Sequence, residues 1–261
     1  MKNKSFNIAV FAFIILAVAF FLILMVALFR QLGDTAFHKQ LNSGEIIFAV
    51  KLTLFTATVS SLFAIIFAIP LAYALSRYNF PLKNIVNSIL YLPICTSSVA
   101  LGAILLLFFN TGAGRLIEKH LFGVVFEVPG IIFAQFIVII GLAVSLLKSV
   151  FDYINPEYEA IARTLGADRS HTFFHNLLPS AKKGIISAYI LTWARAVGEF
   201  GATVTLAGAT PMKTETLPVA ISLSFASANI HNAVVLILIS IFISITVLIC
   251  LNFVYAKNTE T

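Results

Sequence analysis

Charged residues are scarce in this chain: 11% of its 261 residues are Asp, Glu, Lys or Arg, while 60% are hydrophobic. Its mean hydropathy of +1.00 lies far above that of soluble globular chains, so a soluble domain is excluded. Cysteine is limited to Cys95 and Cys250, both inside apolar runs. A disulfide framework and a cysteine metal site are thereby excluded, and both residues are expected to be small packing groups. The alternating segments of about ten residues that mark a transmembrane β-barrel are missing. So is a G-x-x-x-x-G-K-[ST] phosphate loop, and the chain therefore does not itself hold a nucleotide in the P-loop manner. No solenoid repeat, internal duplication or low-complexity linker divides it, which leaves one domain over residues 1–261.

What the chain has in quantity is long apolar sequence. Runs at about 6–29, 52–75, 85–109, 131–150, 185–209 and 233–256 each read as a bilayer-spanning helix, which needs about 18 or more apolar residues. The expected fold is all-α and polytopic, with six transmembrane helices. The first run follows MKNK; it exceeds the roughly 7 to 15 residues of a signal-peptide core and lacks a small-x-small cleavage site. It is expected to be a retained span.

Six spans place both termini on one side. The 17 Lys and Arg exceed the 11 Asp and Glu by six, and in a membrane chain such an excess sets orientation more than it binds nucleic acid. With the N-terminus inside, ten cationic residues, Arg77, Arg163, Lys182 and Lys183 among them, face the cytoplasm, and six, including Arg30 and Lys213, face outward. Both termini are therefore expected in the cytoplasm, with the chain in the cytoplasmic (inner) membrane.

One polar segment breaks the apolar pattern between spans four and five, at about residues 155–179: NPEYEAIARTLGADRSHTFFHNLLP. Asn155 is placed to cap a short helix with Pro156 in its first turn, and Glu157 and Glu159 favour the positive end of its dipole. After about ten residues Gly166 is expected to end it in the left-handed conformation. Asp168 is placed to cap a second short helix, and Pro179 to stop that one before the next span. Glu159 and Arg163, four apart on one face, can pair with each other or with a partner. Lying on headgroups through Phe173, Phe174, Leu177 and Leu178 is one use of such a segment. A DNA-reading helix-turn-helix is excluded, because a module tethered at both ends to spans has no third helix to make a core.

The run EAIARTLGA followed by LP closely resembles the EAA motif of the membrane subunits of ATP-binding-cassette importers. Glu159, Ala160, Ala162, Arg163, Thr164, Leu165, Gly166, Ala167, Leu178 and Pro179 fit it, and Ile161 stands where an Ala is usual. The resemblance implies the type I importer (MetI-like) permease architecture and a helix that inserts into a cleft on a separate ATPase subunit. ATP and Mg would then be bound by that partner and no cofactor by this chain. The implied partners are a second copy of the chain, two cytoplasmic ATPases, an extracytoplasmic oxyanion-binding protein and membrane lipid.

Two further stretches are similar to oxyanion permeases. SRYNFPLKNIVNSILYLPI, residues 76–94, resembles their second cytoplasmic loop and third span; WARAVGEFGATVTLAGATPMKTETLPVAI, residues 193–221, resembles the fifth span of molybdate permeases with its G-E-F-G-A-T run. Cys95, Thr96, Ser97 and Ser98 depart from the prolines usual at that point. The implied function is import of molybdate or tungstate, with a sulfate or thiosulfate permease as the alternative. Read from residues alone, a passive channel or a receptor that docks a signalling partner also fits. An intramembrane enzyme does not, since no second carboxylate, His cluster or base-paired nucleophile accompanies Arg195 and Glu199.

Arg195 and Glu199 are ionisable groups inside a span, four residues apart, and such groups face a bundle interior or water. A structural ion pair is one reading. The other sets them beside a substrate path, where Gly198, Gly201, Ala202, Thr203 and Thr205 permit close helix approach and offer hydroxyl donors to an anion.

Overall fold

A computed structural model describes residues 2–30, 43–120 and 123–256. The described residues hold twelve α-helices and one π-helical turn, and no strand occurs among them. The long helices are α1 (Lys2–Arg30), α2 (Gly44–Arg77), α6 (Val128–Tyr153), α9 (Leu178–Val197) and α12 (Ile230–Ala256). Between them lie α3 (Lys83–Cys95), α4 (Ser98–Phe109), α5 (Gly112–His120), α7 (Glu157–Thr164), α8 (Arg169–His171), α10 (Gly201–Ala207) and α11 (Leu217–Ala226). Stretches of α1, α2, α6 and α12 are long and apolar enough to cross a membrane, and α3 with α4 make a fifth if taken together.

The run at 85–109 is therefore not one straight helix. α3 and α4 meet at 109°, across Thr96 and Ser97. Thr96 takes extended backbone, and both its N–H and its hydroxyl donate to Leu92 O, at 3.0 and 2.8 Å; a side chain that satisfies a terminal carbonyl competes with the next helical turn. The run at 185–209 is also interrupted: α9 ends at Val197 and α10 starts only at Gly201.

α2 and α6 form the centre of the bundle. Along α2 the buried positions Ala57, Ala64, Ala68 and Ala72 recur on one face with Ser60 and Ser61. In lipid, helices gain little by hiding apolar surface from water, so small side chains that let backbones close on each other drive the packing. α6 answers with Ala134, Val138, Ala143, Val144, Leu147 and Phe151, all buried. Its other faces carry close crossings: a Cβ on Gly141 would lie 2.6 Å from Leu90 O of α3, and one on Gly184 of α9 would lie 2.5 Å from Val150 of α6. α1 buries none of its apolar stretch against the rest of the chain. Cys95 and Cys250 are both exposed, correcting their expected role in packing: one ends α3 at the bend and the other lies on an outward face of α12.

Candidate functional site

The break between α9 and α10 is built from local rules. Gly198 follows the last turn of α9, and Glu199 N–H donates back to Ala196 O at 3.1 Å. Glu199 then turns inward and serves two partners. Its Oε2 lies 2.7 Å from Arg195 Nη1, and its Oε1 accepts the Ala202 N–H at 3.1 Å, near the start of α10. A carboxylate at a helix start meets the positive end of the dipole. The Glu199 side chain is 1% exposed whereas that of Arg195 is 43% exposed, so the carboxylate is a buried anchor and the guanidinium an open positive group held by it.

α10 packs against α4, which itself begins at the other break. A Cβ on Gly102 would come within 2.8 Å of the Ala202 backbone, and one on Gly201 would reach Val99 N at 3.0 Å. Close approach thus depends on these two glycines. The hydroxyls are less available than the sequence suggests. Thr203 is fully buried within the chain and its Oγ1 has no partner among the described residues. Thr205 Oγ1 donates to Gly201 O at 2.7 Å. Of the residues expected beside a path, Arg195 and Gly198 are exposed, Thr205 is half-buried, and Glu199, Gly201 and Thr203 are buried.

Sequence reasoning missed Gln135. It is the polar residue in the apolar first half of α6, it is buried, and it holds the break from behind: Nε2 donates to Ala196 O at 3.2 Å while Oε1 accepts from Ser60 Oγ of α2 at 3.0 Å. Its isolation in an apolar run was the signal. Thr53 of α2 was missed too; its Oγ1 accepts the Leu217 N–H at 2.7 Å and so satisfies the first turn of α11.

The second constellation lies at the far end of α2. Asn155 Oδ1 accepts the Glu157 N–H at 3.0 Å, opening α7. At the other end of α7, Gly166 has φ +91, its N–H donates to Arg163 O at 3.1 Å, and the Ala167 N–H donates to Ala162 O at 3.1 Å. That pair of bonds is the Schellman ending, which needs a left-handed residue. Asp168 Oδ1 accepts the His171 N–H at 2.6 Å and starts α8. Pro179 does not stop this helix. Residues Thr172–Leu177 form a π turn that runs straight into α9, with Pro179 in its first turn; the wider turn accommodates the ring.

Glu159 does not pair with Arg163. Arg77 Nε, at the end of α2, lies 2.6 Å from Glu159 Oε1, and Tyr73 Oη donates to Oε2 at 3.2 Å. Arg77 Nη2 also donates to Ile154 O at 2.8 Å, and both members of the pair are half-buried residues whose side chains are only 9% and 12% exposed. The sequence placed Arg77 among the cytoplasmic charges and in the 76–94 stretch similar to oxyanion permeases, and assigned it no partner. α7 turns Glu159 and Ala162 inward and leaves Tyr158, Ile161 and Leu165 exposed. Arg163 and Arg169 line a cleft of about 270 Å³ beside the pair.

Residues 60–258 match the family described as the binding-protein-dependent transport system inner membrane component. The chain belongs to this family. It is the membrane permease subunit of an ABC importer, a multi-pass membrane protein, and ATP hydrolysis belongs to a separate subunit. Among relatives, a probable molybdenum ABC transporter permease of Haloferax volcanii is 38% identical over 196 residues, 74% of this chain and 70% of its own length. A molybdate/tungstate transport system permease of Methanocaldococcus jannaschii is 32% identical over 204 residues, 78% and 80% of the two chains. A sulfate transport system permease of Synechococcus elongatus is 32% identical over 188 residues, 71% and 66%. The permease also superposes on a chain of a bacterial alginate ABC transporter crystallised with its periplasmic protein, with a TM-score of 0.78 over 100% of this chain and 98% of the other. At 19% identity that likeness establishes the fold alone.

Proposed function

We propose that this permease carries molybdate or tungstate across the cytoplasmic membrane into the cell. The observation that carries an anionic cargo is the half-exposed Arg195 guanidinium, fixed at the α9–α10 break by a buried Glu199. One positive group tempered by a carboxylate suits passage of a tetrahedral dianion, because a transport path must bind its cargo weakly enough to let it go. The choice of molybdate over sulfate rests on the G-E-F-G-A-T run and on the relatives named for molybdenum and tungsten, at 38% and 32% identity. Sulfate is the second reading, favoured by a sulfate permease also 32% identical.

In this reading the chain crosses the membrane six times with both termini in the cytoplasm, and the fifth span is the interrupted pair α9 and α10. Two copies enclose the path. The segment from Glu159 to Ala167 is the coupling element, and the exposed apolar face of α7, Tyr158, Ile161 and Leu165, enters a groove on each cytoplasmic ATPase. An apolar helix face in a groove is a common docking mode. ATP-driven closure of the two ATPases brings the α7 helices together and opens the path outward, where a binding protein delivers the anion; hydrolysis reverses the change.

Uptake and competition decide the cargo. Cells whose only oxyanion importer is this permease with its ATPase and binding protein are expected to accumulate labelled molybdate, with tungstate competing and sulfate in large excess without effect. Sulfate uptake that molybdate does not inhibit contradicts the molybdate assignment.

A further inference from the structure

We propose that α2 is the rod that carries the movement of α7 to the α9–α10 break, and that the Arg77–Glu159 pair is the latch joining rod to coupling helix. The proposal rests on the importer reading above, in which α7 is the element moved by the ATPase. It adds a role for Arg77, Tyr73 and Gln135 that the resemblance does not supply.

α2 makes polar bonds to other elements at three levels. At its C-terminal end the half-buried Glu159 carboxylate takes Arg77 Nε at 2.6 Å and Tyr73 Oη at 3.2 Å, and Arg77 also fixes the approach to α7 through Ile154 O at 2.8 Å. At mid-height Ser60 binds Gln135, which in turn holds the Ala196 carbonyl at the break; beside it Trp193 Nε1 of α9 donates to Thr58 Oγ1 at 3.0 Å. Near its other end Thr53 accepts the first N–H of α11 at 2.7 Å. From Arg77 to Thr53 a helix extends about 36 Å at 1.5 Å per residue. α2 therefore bonds directly to α7, the helix that receives the stroke, and to α9, and through Gln135 of α6 it reaches the break that carries Arg195.

A competing route is covalent. α7 leads through α8 and the π turn directly into α9, and a stroke passing that way would not need Arg77. The two routes differ in what happens when the latch is undone, since a bistable element can transmit a movement only where it is attached.

The test uses the complete transporter, permease with ATPase and binding protein, in proteoliposomes. Arg77→Gln is expected to co-purify with the ATPase and to hydrolyse ATP, while anion uptake per ATP falls by about tenfold or more. Tyr73→Phe, which removes one bond without unpairing a charge, is expected to fall between it and the unaltered chain. The reversed pair Arg77→Glu with Glu159→Arg is expected to regain part of the lost uptake, which a general packing defect would not allow. Should Arg77→Gln fail to fold, the other two variants decide the matter. Unchanged uptake per ATP in Tyr73→Phe and Arg77→Gln, or a reversed pair no better than either single change, overturns the latch. Absence of the ATPase from the unaltered complex refutes instead the importer reading on which the latch depends.

Discussion

Gln135 and Ala196 are joined across 3.2 Å, with the side-chain Nε2 of the first donating to the backbone carbonyl of the second. That carbonyl belongs to the last turn of α9, where it already accepts the Glu199 N–H at 3.1 Å, and Gln135 adds a second donor from outside the helix. In lipid no water supplies one. Gln135→Leu keeps the size and removes both bonds, leaving Ala196 O and Ser60 Oγ with one partner fewer. The expected loss is about 1–3 kcal/mol, read as a lower midpoint in thermal unfolding of the detergent-solubilised protein; an unchanged midpoint would show that the bond contributes nothing.

Arg195 and Glu199 are not equivalent members of their pair. Glu199→Gln keeps an acceptor for the Ala202 N–H and leaves an Arg that is open to solvent, whereas Arg195→Gln strands a buried carboxylate. Removing one partner costs most when the charge left behind is buried. Arg195→Gln is therefore expected to destabilise more than Glu199→Gln, by about 1 kcal/mol or more, and the ranking is checked by unfolding the two variants side by side. Equal midpoints would mean that water reaches Glu199.

The glycines divide by mechanism. Gly166 has φ +91 and open space where a side chain would stand, so Gly166→Ala costs only the left-handed backbone, about 1–2 kcal/mol. Gly102→Ala instead drives a Cβ to 2.8 Å from the Ala202 backbone, and overpacking of this kind costs about 1–3 kcal/mol and shifts helices. Uptake is expected to fall with Gly102→Ala through a displaced α10. Gly166→Val is expected to leave the chain inserted and to weaken ATPase binding. Pull-down of the ATPase from solubilised membranes separates the two; loss of binding in the Gly102 variant alone would reverse the assignment.

Glu215, in the loop before α11, is buried, and burial pushes its carboxyl above the ordinary range; the Met212 N–H pulls it back and the Glu45 carboxylate adds to the rise. The folded chain thus holds this proton more tightly than the unfolded chain. The stabilising contribution is complete below the ordinary glutamate value of about 4.3 and is lost as pH rises through the raised folded value. Glu215→Gln, which removes the charge and keeps an acceptor for Met212, is expected to raise the unfolding midpoint at neutral pH and to flatten its fall between acid and neutral solution. A steeper fall in the variant would contradict this.

Features set by neighbouring residues were legible in the sequence. The ends of α7 follow from Asn155 and Gly166 and the start of α8 from Asp168, each acting within three residues of itself, and the apolar runs gave the long helices. Features set by distant residues were not. Arg77 and Glu159 stand 82 positions apart, so the spacing of four between Glu159 and Arg163 drew attention to a pair that does not form. Pro179 pointed to a helix end because an α-helix has no room for its ring, and the π turn that makes room leaves no mark on hydropathy. The breaks at Thr96–Ser97 and Gly198–Phe200 sit inside apolar windows whose average hides two or three residues. Thr203 and Thr205 were credited as donors by type; burial and a helical carbonyl claim them.

The most direct measurement is transport by purified components. The permease is reconstituted in proteoliposomes with its ATPase facing a supply of ATP and its binding protein on the opposite side, and labelled molybdate is followed across the membrane. ATP-dependent accumulation toward the ATPase side is expected, abolished when the binding protein is omitted and sharply reduced by Arg195→Gln. Molybdate movement that proceeds without ATP, or none under any condition while the complex hydrolyses ATP, would contradict an ATP-driven molybdate importer.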